Sequence, residues 1–232
     1  MKIVACIPVQ GRRELLKHTI ERLHEGGVDK VICSGIEDKK TAKQAGAYWA
    51  RSENYPLGRK WNAAIKYAAK HKPDGLLIVG SSDFVSHNWL DRMTPYLKDY
   101  DMVGLAGCYF GQVYPDRVDF IYWGGYSKES GRYGEPIGIG RLFSWRIVEQ
   151  LNYKLFDPDF DNSLDRSSME RCIYAGGRVK CVEEDVMSLS VGTYKWANKH
   201  NFEREAEYIT SRELGEKERQ LVSGEFPEIF KI

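Results

Sequence analysis

The sequence predicts an α/β protein with a mostly parallel central sheet, helices on both faces, and a smaller antiparallel part in the second half. Three observations lead there. Short continuous apolar runs recur through about the first hundred residues, as expected of strands covered on both faces. Stretches with apolar residues at helical spacing separate those runs, which is the pattern of βαβ units. After "DMVGLAGCYF" (101–110) the texture changes to the aromatic, Gly-rich alternation of "RVDFIYWGGYS", which reads as antiparallel strands.

The elements follow in order. Residues 3–9 are a strand, and 12–24 a helix with Leu15, Leu16, Ile20 and Leu23 on one face, stopped by Gly26 and Gly27. "VDKVICSG" (28–35) is a second strand, 39–46 a short helix, and "AYWAR" (47–51) a third strand. "GRKWNAAIKYAAKH" carries Trp61, Ala64, Ile65 and Ala68 along one side and is closed by Pro73 and Gly75. Strand 76–80 then runs into "GSSD", with a helix expected from His87 or Asn88. Residues 127–141, with four glycines and a proline, predict a loop with many permissive positions and freedom to move. "LFSWRIVEQL" reads as helix, "FDPDFDNSLDR" as an acidic loop, "SSMERCIYAGG" as a helix ended by Gly176 and Gly177, and "RVKCVEEDVMSLSV" as strand.

With 232 residues, 42% of them hydrophobic, the chain can bury one large core, so a single domain is expected over 1–195. Its first half covers about 1–100 and its second about 101–195, followed by a charged helical extension over 196–232. Thirty-four basic against thirty-three acidic residues leave a net charge of +1, so no global field gathers nucleic acid or an anionic membrane. The five cysteines are odd in number and lack metal-site spacing, which predicts reduced thiols and a cytoplasmic location. No stretch approaches the length of a transmembrane helix, and "MKIVACIPVQ" lacks the features of a signal peptide.

In open α/β sheets, ligands collect at the carboxyl ends of the strands. Asp83 sits at such an end, behind Gly80, Ser81 and Ser82, whose small side chains leave room for an anion. Capping of the following helix is an equally simple use for Ser82 or Asp83. Arg12, Arg13, Arg59 and Lys60 stand near predicted strand ends, where Arg59 or Lys60 could face phosphates. Tyr109, Phe110, Tyr122, Trp123, Tyr126 and Trp145 gather in one region, and flat rings of this kind stack on sugar faces or bases, although core packing uses most of them.

The order of elements tips the balance. Over roughly residues 3–182 the chain resembles the GT-A glycosyltransferases, most closely those of family 2. Ile7, Pro8 and Val9 match the segment that opens the family's nucleotide pocket, and Asn54, Gly58 and Asn62 of "NYPLGRKWNAA" match its Asn-and-Gly stretch. "SSD" stands where the family has its DxD turn, and Asp165, Arg171 and Gly176 reproduce the spacing of its later acidic helix. Two departures accompany the match: Ser81 replaces the first acid of the turn, and Leu164 replaces the Glu before Asp165.

The resemblance implies a hexosyltransferase-like enzyme that uses a nucleotide-diphosphate sugar and an acceptor hydroxyl, inverting, with Asp165 as general base. It places the donor on Pro8, Val9, Gln10, Glu37 or Asp38, Arg59, Lys60, Asn62, Ser81, Ser82 and Asp83. It gives Mn²⁺ or Mg²⁺ to Asp83 with His200, although one carboxylate with the diphosphate and waters holds such an ion only loosely. Asp165 can equally cap its own helix. Two other classes stay open: a nucleotidylyltransferase on the same sheet, and a domain that binds nucleotide or glycan without turnover.

Overall fold

The computed structural model describes residues 1–193 and 211–232. Two sheets form the frame. The larger has seven strands: β1 (Ile3–Pro8), β2 (Lys30–Gly35), β3 (Tyr48–Arg51), β4 (Gly75–Ile78), β6 (Met102–Leu105), β9 (Arg141–Ser144) and β10 (Val179–Val182), in the order β10-β6-β9-β4-β1-β2-β3. All run parallel except β9, which is antiparallel to both β4 and β6. The smaller sheet, ordered β12-β8-β7-β11-β5, joins β5 (Asp83–Val85), β7 (Cys108–Val113), β8 (Val118–Trp123), β11 (Ser188–Thr193) and β12 (Ser211–Glu213). Only β7 and β11 pair in parallel there.

Alternation along β1 explains the layering. Successive side chains of a strand point to opposite faces. Ile3, Ala5 and Ile7 enter a core with Leu16, Ile20 and Leu23 of α1 (Arg13–Glu25), while Val4 and Cys6 enter a second core with Trp61, Ala64, Ile65 and Ala68 of α3 (Leu57–Ala68). The short α2 (Lys39–Gln44) and α4 (Trp89–Met93) complete the first half. On the second face lie α5 (Trp145–Gln150) and α6 (Leu164–Tyr174), through Ile147, Val148, Leu164 and Cys172. All five cysteines are free, and all but Cys181 are buried.

Four boundaries differ from the sequence reading. Leu142 and Phe143 belong to β9 rather than to a helix, because an apolar run of that length cannot be told from buried strand by periodicity, and β4 offers the pairing edge. Residues 101–110 and 178–191 each divide into two strands that serve different sheets. Asp83 opens a strand of its own, β5, instead of ending β4. The described part of the tail is more than a solvated helix: β12 pairs with β8, and Val222 of α7 (Glu216–Glu225) with Phe226 and Ile229 enters a third core beside Phe84, Phe120 and Leu189.

Candidate functional site

The carboxyl edge of the parallel strands is where the residues of interest meet, in three adjoining groups. The first is built on β1, β2 and the approach to α3. Val9 follows β1, and its carbonyl accepts a hydrogen bond from the Lys60 ammonium, which also donates to Asn54 Oδ1 at 2.8 Å. Asn54 in turn donates to Glu37 Oε1 at 3.2 Å, and exposed Gln10 reaches the Tyr55 hydroxyl at 3.4 Å. Lys60 is only 1% exposed, so it is a floor of the site rather than an arm over it. Burial lowers its pKa to about 8, opposed by the charges of Glu37 and Asp38. Asp38 is held by Arg13 through Oδ1, while its buried Oδ2 has no partner. An acceptor atom left so is costly and suits a donor group from a ligand.

The second group surrounds Asp83. Its Oδ2 accepts from the Gly80 N–H at 3.0 Å and its Oδ1 from the Ser190 hydroxyl at 2.7 Å, so the carboxylate is oriented by β11 and by its own turn. Glycine at position 80 leaves the carboxylate its place, since a Cβ there would stand 2.3 Å from Oδ2. Ser82 is buried and accepts from Arg12 Nη1 at 2.6 Å. Arg12 reaches it because Gly11 and Arg12 both take left-handed backbone, at φ 65° and 61°, in the turn that leads from β1 into α1. The Asp83 side chain keeps some exposed surface, yet burial pushes its carboxyl above the ordinary range. Bonds from Ser190 and Gly80 and the charge of Arg12 oppose that rise, and Asp165 adds to it.

The third group is centred on Asp165, in the first turn of α6. The cap residue of that helix, Ser163, makes no side-chain capping bond, and the Asp165 carboxylate lies against Gly138 of the glycine-rich loop. Tyr126 and the buried Arg141 are its electrostatic neighbours. Burial, then Asp165, push the Tyr126 hydroxyl up to about 12, and Arg132 stacks on that ring at 3.7 Å while pairing with Glu135. The second half of the loop is fixed rather than free: Ile137 donates to the Leu105 carbonyl at 2.8 Å and Gly140 to that of Ile78 at 2.9 Å.

Thus Pro8, Val9, Gln10, Glu37, Lys60, Ser81, Ser82, Asp83 and Asp165 fall along one edge. Arg59 and Asn62 do not join them. Arg59 pairs with Asp159 at 2.5 Å, and Asn62 clamps the Phe156 backbone with both ends of its amide, at 2.8 and 3.1 Å. Both turn toward the 156–161 loop rather than toward the groups that hold Lys60. His200 lies outside the described residues, and among those described no group of three His, Cys, Asp or Glu side chains gathers to hold a metal. Asp83, already accepting two bonds from the protein, is a poor anchor for a cation by itself.

Sequence reading missed Arg141, Ser190 and the use of Arg12. For Arg141 a signal exists, a cation between permissive glycines and the buried run "LFSW"; for Ser190 none does, since it comes from a distant strand.

Neither a protein-family description nor a curated protein matches the sequence. Solved structures do match the fold. Residues 1–349 of TarS from S. aureus, solved in complex with UDP, superpose with a TM-score of 0.58 at 12% identity, over 83% of this chain and 61% of that one. This chain therefore spans less than two thirds of the TarS fragment. The inositol-1-phosphate CTP transferase of T. maritima gives 0.53 at 12% identity, covering 89% of this chain and 97% of its own. The 4-diphosphocytidyl-2C-methyl-D-erythritol synthase of Anaerococcus prevotii gives 0.52 at 15%, covering 88% and 92%. The fold is that shared by GT-A glycosyltransferases and nucleotidyltransferases, a mixed α/β architecture, and no narrower family is defined by these likenesses.

Proposed function

We propose that the chain is a glycosyltransferase that moves a sugar, as a hexosyl group, from a nucleotide-diphosphate sugar to an acceptor hydroxyl with inversion. One observation carries this reading: the Asp83 and Asp165 carboxylates, from different elements, lie within electrostatic reach of each other at the carboxyl edge, with the Arg12 cation beside Asp83. The nucleoside rests on the floor made by Pro8, Val9, Gln10, Glu37 and Asp38, with the unpartnered Asp38 oxygen accepting from base or ribose. The diphosphate lies at Ser81, Ser82 and Asp83. Asp165 takes the acceptor O–H proton; the acceptor oxygen bonds to the anomeric carbon as the bond to the diphosphate breaks, and the electron pair leaves with the nucleoside diphosphate. Arg12 meets the charge that grows on the leaving group. A Mn²⁺ or Mg²⁺ ion bound with the diphosphate would supply the same service, but the described residues do not form a cage for one, and no step is assigned to it.

Asp165→Asn should keep UDP affinity within about twofold and lose sugar transfer by roughly 10²- to 10⁴-fold. Calorimetry with UDP and release of UDP from UDP-sugars measure the two separately. Full turnover by the variant would remove Asp165 from the reaction.

A second reading, transfer of a nucleotidyl group to a sugar phosphate, is favoured by the left-handed Gly11–Arg12 turn directly after β1, where a phosphate-binding loop of such an enzyme would sit. It predicts release of pyrophosphate from CTP or UTP, whereas sugar transfer releases a nucleoside diphosphate. Either product would also exclude a purely binding domain.

A further inference from the structure

Arg141 is not used by the reaction above, yet it is 1% exposed, and burying a guanidinium is expensive unless its donors are all engaged. Four of its five N–H donors are engaged, and by neutral acceptors. Nε donates to the Ile137 carbonyl at 2.9 Å and Nη2 to that of Pro136. Nη1 donates to the Asp165 carbonyl and, at 2.7 Å, to the hydroxyl of Ser168, which itself donates back to the Asp165 carbonyl at 3.0 Å. One side chain therefore grips two things at once: the glycine-rich loop just before Gly138, and the first turn of α6.

Those are the two walls of the seat in which the Asp165 carboxylate rests. A Cβ on Gly138 would stand 2.3 Å from Oδ1 and 2.6 Å from Oδ2, so the missing side chain is the space the carboxylate fills. Arg141 ties those walls together by hydrogen bonds to both. The loop is anchored separately to β6 and β4, and Pro136 packs where a side chain on Gly104 would be. To those anchors Arg141 adds the link between loop and helix that sets the register between Gly138 and Asp165.

We infer that Arg141 is the positioning residue for Asp165: its forked guanidinium fixes loop and helix so that the carboxylate is held at the place where the acceptor hydroxyl is deprotonated. The inference rests on the reading of Asp165 as base. Lysine cannot substitute, because a single ammonium lacks the planar fork that meets four acceptors from two sides. A displacement of about 1 Å at a reacting group costs roughly 100-fold in rate.

The test uses the full chain with UDP as binding probe and UDP-glucose, UDP-galactose and their N-acetyl forms as donors, water serving as acceptor. For Arg141→Lys, kcat for UDP release should fall by roughly 30- to 100-fold. The donor KM should stay within about threefold and UDP should still bind one per chain, since the residue touches neither nucleotide nor diphosphate. The binding stoichiometry separates positioning from unfolding, because an unfolded fraction would lower both together. Gly138→Ala, which leaves Arg141 intact and fills the seat, should fall in kcat in the same way, and it decides the matter if the first variant does not fold. Unchanged kcat in either folded variant overturns the inference. Asp165→Asn run in parallel keeps the two ideas apart. If it is active, the base is misassigned; if it is inactive while Arg141→Lys is active, only the positioning role fails.

Discussion

Lys60 shows how a residue read as a phosphate contact becomes part of the floor. Its ammonium is turned under β1 by the Val9 carbonyl and by Asn54, in a place where charge is desolvated. The two acceptors need only two protons, which a neutral amine still provides. Because the folded pKa, about 8, lies below the ordinary 10.5, folding is penalised while the lysine must be charged, and the penalty fades as pH rises between those values. The stability of the wild type relative to Lys60→Met should therefore increase from pH 7.5 to pH 9.5, read from urea unfolding at each pH. A constant or shrinking difference would mean that the ammonium is solvated in the folded protein. The carboxyl of Asp83 is displaced in the other direction for the same reason, burial, and functional sites concentrate such displaced groups.

Among the elements, the C-terminal segment is held by one arginine of the first helix. Arg22, 3% exposed, donates to the Val85 carbonyl at 2.6 Å and to Glu228 at 3.0 Å, pairs with Glu225 at 2.5 Å, and lies 4.5 Å over the Phe226 ring. Glu225 also accepts from the His87 backbone N–H at 3.0 Å, so α7 is tied to the corner after β5. The strand that begins with Asp83 is thus backed by residues some 140 positions later in the chain. Arg22→Met should cost about 3 kcal/mol, the lower end for a broken buried pair because Glu225 keeps contact with water. Denaturant unfolding measures the loss, and a change below about 1 kcal/mol would show that the tail docks by its apolar residues alone. The glycine-rich loop makes a comparable point: its permissive residues serve close approach, Gly138 to Asp165 and Gly140 to Trp89, more than motion.

For the whole molecule, the arrangement of seven strands and five brings the ends of β1, β2 and β4, the start of β5 and the first turn of α6 to one edge. No described helix is long and apolar enough to cross a membrane. A ligand bound across that edge should raise the unfolding temperature by mass action. UDP at a hundredfold excess over its Kd corresponds to about 2.7 kcal/mol. A scan over UDP, CTP and nucleotide sugars, with and without Mn²⁺ and with chelator, checks both the ligand class and the contribution of metal. No shift with any nucleotide would leave the fold standing and remove the nucleotide from it.

Local features of the chain carried much of this. Apolar runs locate β1, β2 and β4, helical spacing locates α1 and α3, and "SSD" and "LDR" mark Asp83 and Asp165. Where the chain was misread, the deciding partner was remote. "LFSW" becomes strand because β4 pairs with it; Arg59 and Asn62 turn away because the 156–161 loop offers them acceptors. Periodicities and the positions of the acids are properties of neighbouring residues, so they can be read along the chain. Which polar groups share a desolvated edge, and that Arg12, Ser190 and Arg141 surround the two aspartates, is settled by folding, because hydrogen bonds and fields act through space between segments that the chain order keeps far apart.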